Sequence, residues 1–347
     1  MAEKSHYALN CFNYRHQQTC LIKFILSIFI IIFFILSHIF FTKKPTFHLN
    51  NSNYIYSQIL QCTNRNKTRI EEGQKYLSQN RVIICGLIRD RETHIKRLKQ
   101  QLNEITIFFA DYAIVIVEND SKDNTRHELI NWAKIDKHIH IIDCNNEINS
   151  ISLCNLSLVA TNIKSIPDIL RIEKMVQLRN IYMNYIDKHN LLKQFDYVII
   201  EDFDLTTYTY LNGLFSTGFY LKYDSTIDAI CSNGIFYNKL FGNMITYETY
   251  FDPYAHKDKQ NQNWSKIYND IWSTIFRKYS CNEGLIHVQS CFSGRTIYRY
   301  KSIKGKRYRT YIDQYKQAIC EHIGLHETLK NVYINSEMIF YITKNNI

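Results

Sequence analysis

The chain has 347 residues, 21% of them charged, and a net charge of +10. That length suffices for one large α/β domain or two small ones, and the basic balance fits an anionic substrate, a membrane surface or nucleic acid. The basic residues are scattered apart from KSIKGKRYRTY, and no zinc-finger, RNA-recognition or helix-turn-helix signature accompanies them, which sets nucleic acid aside.

In chain order, the first element is apolar. Phe24 to Phe41 carries no formally charged residue, and with Leu21, Ile22 and a snorkelling Lys23 it reaches the roughly 20 residues that span a bilayer as a helix. A cleaved signal peptide would have a shorter apolar core and a small-residue cleavage site; TKKPTF follows instead. The expected arrangement is a short cytosolic tail at 1–20, a transmembrane signal anchor at 21–41, a polar stem at 42–78 and a luminal domain at 79–347. That makes a single-pass type II membrane protein of the secretory pathway, in Golgi or endoplasmic reticulum.

RVIICGLIRD at 81–90 reads as a buried strand, and the helix after it carries Ile95, Leu98, Leu102 and Ile105 on one face. YAIVIVEND is a second strand, SKDNTRHELINWAKI a capped helix and HIHIIDC a third strand. RIEKMVQLRNIYMNYI is an amphipathic helix with Met175, Leu178 and Met183, YVIIEDFDL the fourth strand and IDAICSNG the fifth. Beyond residue 232 the pattern turns irregular and aromatic. Strands alternating with helices predict a mostly parallel, doubly wound sheet with flanking helices. Ligands in such sheets sit at the carboxyl ends of the strands, where LIRD, VEND and EDFDL all fall.

Three acids, Glu201, Asp202 and Asp204, follow the fourth strand. In an extended chain residues two apart share a side, so Asp202 and Asp204 reach one hard cation, Mn²⁺ or Mg²⁺, which keeps places for substrate phosphate oxygens. Solvated strand-end acids are the plainer alternative. CGLIRDR lacks the dinucleotide fingerprint and no P-loop occurs, so a metal is the natural substitute for a glycine-rich phosphate cradle. Asn119 and Asp120 suit a base or ribose, with Ser121 or Asp123 as helix cap. Arg171 and Arg179 lie eight apart on one helix; Arg179, followed by Asn180, is the better contact for an anionic substrate, and for Arg171 a solvated position reads equally well. In CEHIGLHETL, His322 and His326 stack on one helical face; a histidine completing the metal's shell competes with an ordinary packed one. None of the 10 cysteines forms a CxxC pair; Cys85 and Cys231 read as core thiols, while Cys144, Cys154, Cys281, Cys291 and Cys320 are disulfide candidates in a lumen.

IVIVENDSKDNTR, LRN, YVIIEDFDL, SNG, YFDPYAHKD, VQSCFSGRTIYRY and CEHIGLH together resemble nucleotide-sugar glycosyltransferases of the GT-A fold, most of all the capsule-associated α-1,3-mannosyltransferase family of fungi. The resemblance, which covers about 80–340, implies a GT-A-like, Rossmann-type sheet with flanking helices, and the apolar stretch adds one transmembrane helix before it. It implies Mn²⁺ or Mg²⁺ on Asp202 and Asp204 with His326 as third ligand. Nucleotide-sugar contacts fall on Arg89, Glu118, Asn119, Asp120, Arg179, Asn180, Asp202, Asn233 and Gly234, and the Ser290, Cys291, Phe292 and Gly294 block matches a family motif. Asp252 and Glu321 are the implied catalytic acids, either of them a general base if the configuration inverts. The implied donor is GDP-mannose, with UDP-sugars open, and the acceptor a glycan or glycoprotein hydroxyl. A sugar nucleotidyltransferase, or a membrane-anchored carbohydrate-binding or scaffold protein with an inactive transferase fold, are the competing readings.

Overall fold

The structure is a computed structural model that describes residues 66–143, 169–189, 192–205, 210–240, 245–264, 278–314 and 316–343. All lie in the unit Leu49–Ile347; the expected span at 21–41 falls in the separate unit Met1–His48, outside the described residues. Among the described residues no helix is long and apolar enough to cross a membrane.

The elements in order are α1 (Lys67–Leu77), β1 (Arg81–Ile88), α2 (Ile95–Thr106), β2 (Asp111–Glu118), α3 (Thr125–Ile135), β3 (Ile139–Asp143), α4 (Ile169–Lys188), β4 (Tyr197–Glu201), α5 (Leu211–Tyr223), β5 (Ala229–Leu240), β6 (Ile245–Tyr250), β7 (Leu285–Val288), β8 (Arg295–Arg299), α6 (Tyr300–Ile303), α7 (Glu321–His326) and β9 (Val332–Thr343). They build one nine-stranded sheet, ordered β3-β2-β1-β4-β8-β5-β9-β7, with β6 against β5.

The first four strands behave as their pattern predicts: β1–β2, β1–β4 and β2–β3 are parallel. Alternation along β1 divides the core into two layers. Ile83 and Cys85 join Val115, Val117 and the α4 residues Leu178 and Tyr182. Val82, Ile84 and Ile88 join Leu98, Leu102 and Ile105 of α2 and Leu129 and Trp132 of α3. Helices cover both faces, which is why these strands are apolar throughout.

The second half departs from the expectation. β8 inserts antiparallel between β4 and β5, and β5–β6 and β7–β9 are antiparallel as well; among the described residues β5–β9 is the one parallel pair there. The sheet is therefore mixed rather than mostly parallel. The sequence hides β8 because RTIYR begins and ends with arginine, yet all five residues are buried. Each end arginine is satisfied inside: Arg295 pairs with Glu201, and Arg299 donates to the carbonyls of Ile227, Leu221 and Asp224. Buried polar groups with full partners are tolerated where bare ones are not.

Two further corrections concern the flanks. Residues 67–77, expected in the stem, form α1 and belong to the folded body. Asn66 caps the helix by accepting from the Arg69 amide, and α1 packs on α5 so closely that a Cβ on Gly73 would lie 1.7 Å from the Phe215 carbonyl oxygen. Gly73→Ala is expected to cost about 2–3 kcal/mol of stability by overpacking, read as a lower urea midpoint; an unchanged midpoint would mean that α1 is not docked there. Cys231 is not a free core thiol: it bonds to Cys291 across 60 residues, joining β5 to the segment before β8. Cys85 and Cys320 are free and buried.

Candidate active site

Three neighbouring parallel strands end along one edge. β1 runs into Arg89, β2 into Asn119 and β4 into Asp202, and a cleft of about 660 Å³ opens beyond them. α4 forms one wall, the start of α7 another, and the turn after β6 closes the side. Backbone strain gathers here: Asp90, Asp120 and Asp252 all adopt left-handed φ, at 51°, 54° and 64°, a conformation that costs energy outside glycine and concentrates at functional sites. The loops after β1 and β2 are tied together. The Asp90 amide donates to Ser121 Oγ at 3.0 Å, and Asp90 Oδ1 accepts from the Lys122 amide at 2.6 Å.

The acids of EDFDL separate by face. Glu201 lies on the side of Ile199 and turns into the core, where Arg295 Nε and Nη2 donate to its two oxygens at 2.8 and 2.9 Å and Gln101 Nε2 donates at 2.5 Å. Asp202 lies on the opposite side, toward α4. The strand ends at Glu201, so Asp202 and Asp204 stand in a turn rather than along a strand; both still line the cleft.

Arg179 organises the charges. It is 4% exposed, its Nη2 lies 3.3 Å from Asp202 Oδ1, and its Nε lies 3.0 Å from Glu321 Oε1. Its guanidinium is held between the Phe292 and Tyr308 rings, 5.0 and 5.8 Å from their centroids. It pairs with two of the four acids that line the cleft. Burial pushes the Asp202 carboxyl well above its usual range, with Arg179 opposing and the charges of Asp204 and Asp252 adding. Asp252 is raised to about 7, first by burial and then by Glu321, although the amides of Ala255 and Ser293 donate to its oxygens.

Arg89, Asn119, Arg179, Asp202, Asp204, Asp252 and Glu321, all named from the sequence, line one cleft. Asn119 is 8% exposed and its Oδ1 has no partner, leaving an acceptor for a ligand donor. Other expected residues have structural employment. Glu118 is fully buried, accepting from Arg126 Nε at 2.8 Å and the Ser121 amide at 2.6 Å. Asp120 does not line the cleft either; it is the left-handed residue of the turn behind Asn119. Asn180 is paired twice with the Tyr308 backbone. Asn233 donates to the carbonyls of Tyr279 and Ser336. Gly234 packs beneath Ser293 and accepts from the Phe251 amide.

His326 is the clearest correction. The Cys291 amide can only donate, so Nδ1 accepts from it at 3.3 Å; Nε2 therefore carries the proton, which faces Tyr298 Oη at 2.7 Å. Both nitrogens are occupied and the residue stands off the cleft. Its neighbour His322 lines the cleft instead, stacked on Phe292 at 3.7 Å, with neither nitrogen hydrogen-bonded and Nε2 3.8 Å from Glu321 Oε1. Helical spacing cannot choose between two histidines one turn apart; only the partners of each nitrogen do. Tyr254 and Phe251, also on the wall, fall in the YFDPYAHKD block, from which the sequence reading drew only Asp252.

The donor set suits a hard divalent cation. Among the described residues no group of three His, Cys, Asp or Glu side chains is arranged to hold a metal alone. The Asp202 and Asp204 carboxylates line the cleft with Asp252 and Glu321, an acid-rich setting that suits a cation, and His322 lines the same cleft with neither nitrogen hydrogen-bonded. The remaining ligands would come from the substrate.

The buried histidines also set a pH dependence. Burial lowers His256 and His326 from 6.5 to about 3. Each stays neutral in the fold while the unfolded chain gains a proton below pH 6.5, so stability falls as pH drops from 6.5 toward 3. Asp252 acts in reverse, its folded form taking a proton below about 7 that the unfolded chain takes only near 3.8. His256 sits among Tyr250, Trp264 and Tyr279, with Nε2 2.9 Å from the Tyr279 hydroxyl; phenylalanine keeps the ring packing and loses that one bond at every pH in this range. As pH falls from 6.5 toward 5 the wild-type protein should lose more stability per pH unit than His256→Phe, the difference in slope rising toward about 1.4 kcal/mol per unit, measured by urea unfolding. Parallel slopes would show that His256 is protonated in the fold.

Residues 81–326 match the family model described as Cryptococcal mannosyltransferase 1. The chain belongs to this family. That places it among the glycosyltransferases, as the resemblance of its motifs implied. Among curated proteins none matches the sequence. Solved structures give distant likenesses. A Pyrobaculum calidifontis mannosyltransferase in complex with GDP-Man and Mn²⁺ is 11% identical, with a TM-score of 0.29 over 56% of this chain and 54% of that one. S. aureus TarS is 11% identical, with a TM-score of 0.41 over 76% and 60%. Glucosyl-3-phosphoglycerate synthase from Mycobacterium tuberculosis with Mn²⁺, UDP and phosphoglyceric acid is 10% identical, with a TM-score of 0.29 over 47% and 46%. The match spans about half to three fifths of these chains, and overlaps this low carry no argument about this one.

Proposed function

We propose that this family member transfers a hexose, mannose first among candidates, from a nucleoside diphosphate sugar to a glycan or glycoprotein hydroxyl, with Mn²⁺ or Mg²⁺ held by Asp202 and Asp204. GDP-mannose is the favoured donor and a UDP-sugar the alternative. The observation that carries the reading is the meeting of Asp202, Asp204, Asp252 and Glu321 with the unpartnered Asn119 oxygen in one cleft at the carboxyl ends of β1, β2 and β4.

When bound, the cation supplies positive charge for the departing diphosphate. The chain's own residues do the rest. Asn119 Oδ1 accepts from a base or ribose donor. Arg179, fixed by two acids and two rings, holds Asp202 and Glu321 apart and in place. Glu321 is clamped by that guanidinium, whereas Asp252 is held by two weak amide bonds and its pKa is raised to about 7, first by burial. Asp252 is therefore the better base for the acceptor hydroxyl if the sugar inverts; with retention, no dedicated base is needed. A luminal, membrane-anchored placement fits the apolar stretch at 21–41, and the Cys231–Cys291 bond supports an oxidising compartment.

The test is donor turnover by the full chain. Mn²⁺-dependent release of GDP from GDP-mannose, or of UDP from a UDP-sugar, supports the reading and names the donor. Release of pyrophosphate instead would identify a nucleotidyltransferase, and no nucleotide binding by the folded protein would leave a carbohydrate-binding protein.

A further inference from the structure

Asn50, Asn66, Asn119, Asn155 and Asn263 each begin the pattern Asn-x-Ser/Thr, the acceptor pattern for an N-linked glycan. Asn50 and Asn155 fall outside the described residues. The other three stand in different surroundings. Asn119 is 8% exposed and lines the cleft. The rest of its pattern closes the turn behind it: Asp120 is left-handed, and Ser121 donates its amide to Glu118 Oε1 at 2.6 Å while its Oγ accepts from the Asp90 amide at 3.0 Å. Asn263 is 9% exposed, and its Nδ2 donates to the Tyr254 carbonyl at 3.1 Å. The next residue, Trp264, packs on Tyr250 and His256. A sugar on Nδ2 of Asn119 would occupy the cleft, and one on Nδ2 of Asn263 would have to displace packed groups.

Asn66 is the reverse case. It is exposed, as are Lys67 and Thr68, the other two residues of its pattern. It stands at the cap of α1, where the backbone is not yet helical. The two ends of its amide are used differently. Oδ1 accepts from the Arg69 amide at 3.0 Å and so satisfies one of the free donors of the helix start. Among the described residues Nδ2 donates to nothing. An N-linked glycan is joined through that nitrogen, which leaves Oδ1 and its bond to Arg69 in place. Glycan and helix cap thus call on different atoms of one side chain, and α1 can stay docked on α5 beneath a sugar held in solvent.

We propose that Asn66 is an N-glycosylation site of this protein, and that Asn119 and Asn263 are unmodified in its folded form. The donor is an oligosaccharide on a polyprenyl diphosphate. Asn66 Nδ2 attacks C1 of the first sugar; the N–C1 bond forms as the C1–O bond to the diphosphate breaks. The diphosphate leaves with the bonding pair, and the amide nitrogen gives up one proton. The proposal rests on the luminal placement given above, and not on the transferase reading.

The experiment is site-resolved glycan mapping on the full chain, made in eukaryotic cells with an Asn-Ser-Thr tag added at its C-terminus to report which side of the membrane the domain occupies. The purified protein is treated with peptide N-glycosidase in heavy-oxygen water, which turns each occupied asparagine into a labelled aspartate for peptide mass spectrometry. The label should appear on Asn66 and on the tag, and on neither Asn119 nor Asn263. Thr68→Ala should remove the label from Asn66 and leave the urea midpoint of the deglycosylated protein unchanged, because the cap is kept. Asn66→Ala should lose the label and lower that midpoint, because the cap goes too. An unlabelled Asn66 beside a labelled tag would overturn the proposal and leave the luminal placement standing. If Asn66 and the tag are both unlabelled, the luminal placement falls with it. Label on Asn119 or Asn263 in folded protein would overturn the selection by burial. The transferase reading is read separately, from Mn²⁺-dependent donor turnover.

Discussion

Replacing Asp202 and Asp204 together by asparagine should lower Mn²⁺-dependent sugar transfer by on the order of 10³-fold, the loss expected when the groups that stabilise a leaving group's charge are removed. The protein should stay folded, and at pH 7 to 8 its melting temperature should not fall. The reason lies in the sign of the Asp202 shift. Its carboxyl is raised well above the usual range, chiefly by burial, so the ionised form is worse off in the fold than in the unfolded chain. That cost is present above the ordinary carboxylate range, and asparagine removes it while still accepting from Arg179. Arg179 also keeps Glu321 at 3.0 Å. Activity and stability therefore separate, as they do where a site holds charge for a ligand rather than for the fold. Saturating Mn²⁺ with the preferred nucleotide should raise the melting temperature of the wild-type protein and not that of the double variant. Transfer at wild-type rate by Asp202→Asn/Asp204→Asn would remove these acids from the mechanism. A variant that unfolds at 25 °C would make them structural.

The legible part of the fold was its first half, for a physical reason. β1, β2 and β4 are buried on both faces, so their apolar runs and polar ends stand out, and the ends mark the cleft. The second half is assembled from strands far apart in sequence, with β8 between β4 and β5 and β9 beyond β5. No local pattern announces that order, and the arginines of β8 disguise it further. In the site, residue types that point along a strand end were readable: Arg89, Asn119 and Asp202. Residues whose role depends on which atom is already bonded were not. Asn180 and Asn233 look like ligand contacts in sequence and turn out to hold backbone carbonyls. His322 and His326 differ only in that one has both nitrogens occupied.

Glu201 carries the last of these lessons, and a large effect. Next to Asp202 in sequence, it faces the other way and forms the deepest ion pair of the described sheet, 0% exposed and paired through two bonds with Arg295, itself 2% exposed. Register makes this pair: Glu201 stands directly opposite Arg295 on β4 and β8. Removing one partner leaves the other charged and desolvated, so Arg295→Met alone should cost about 3–5 kcal/mol of stability. Glu201→Gln/Arg295→Met together should recover most of that, because no bare charge remains; the coupling is read from a double-mutant cycle in urea. The cycle also separates the two halves of EDFDL. If Glu201 belongs to the core alone, the double variant binds Mn²⁺ and nucleotide with wild-type affinity wherever it is folded. If its affinity collapses in a folded protein, β8 is the element that sets the position of Asp202. The Asp202 amide donates to the Gly294 carbonyl at 3.0 Å, just before β8, so that contact is the one through which a shift of β8 would reach the cleft.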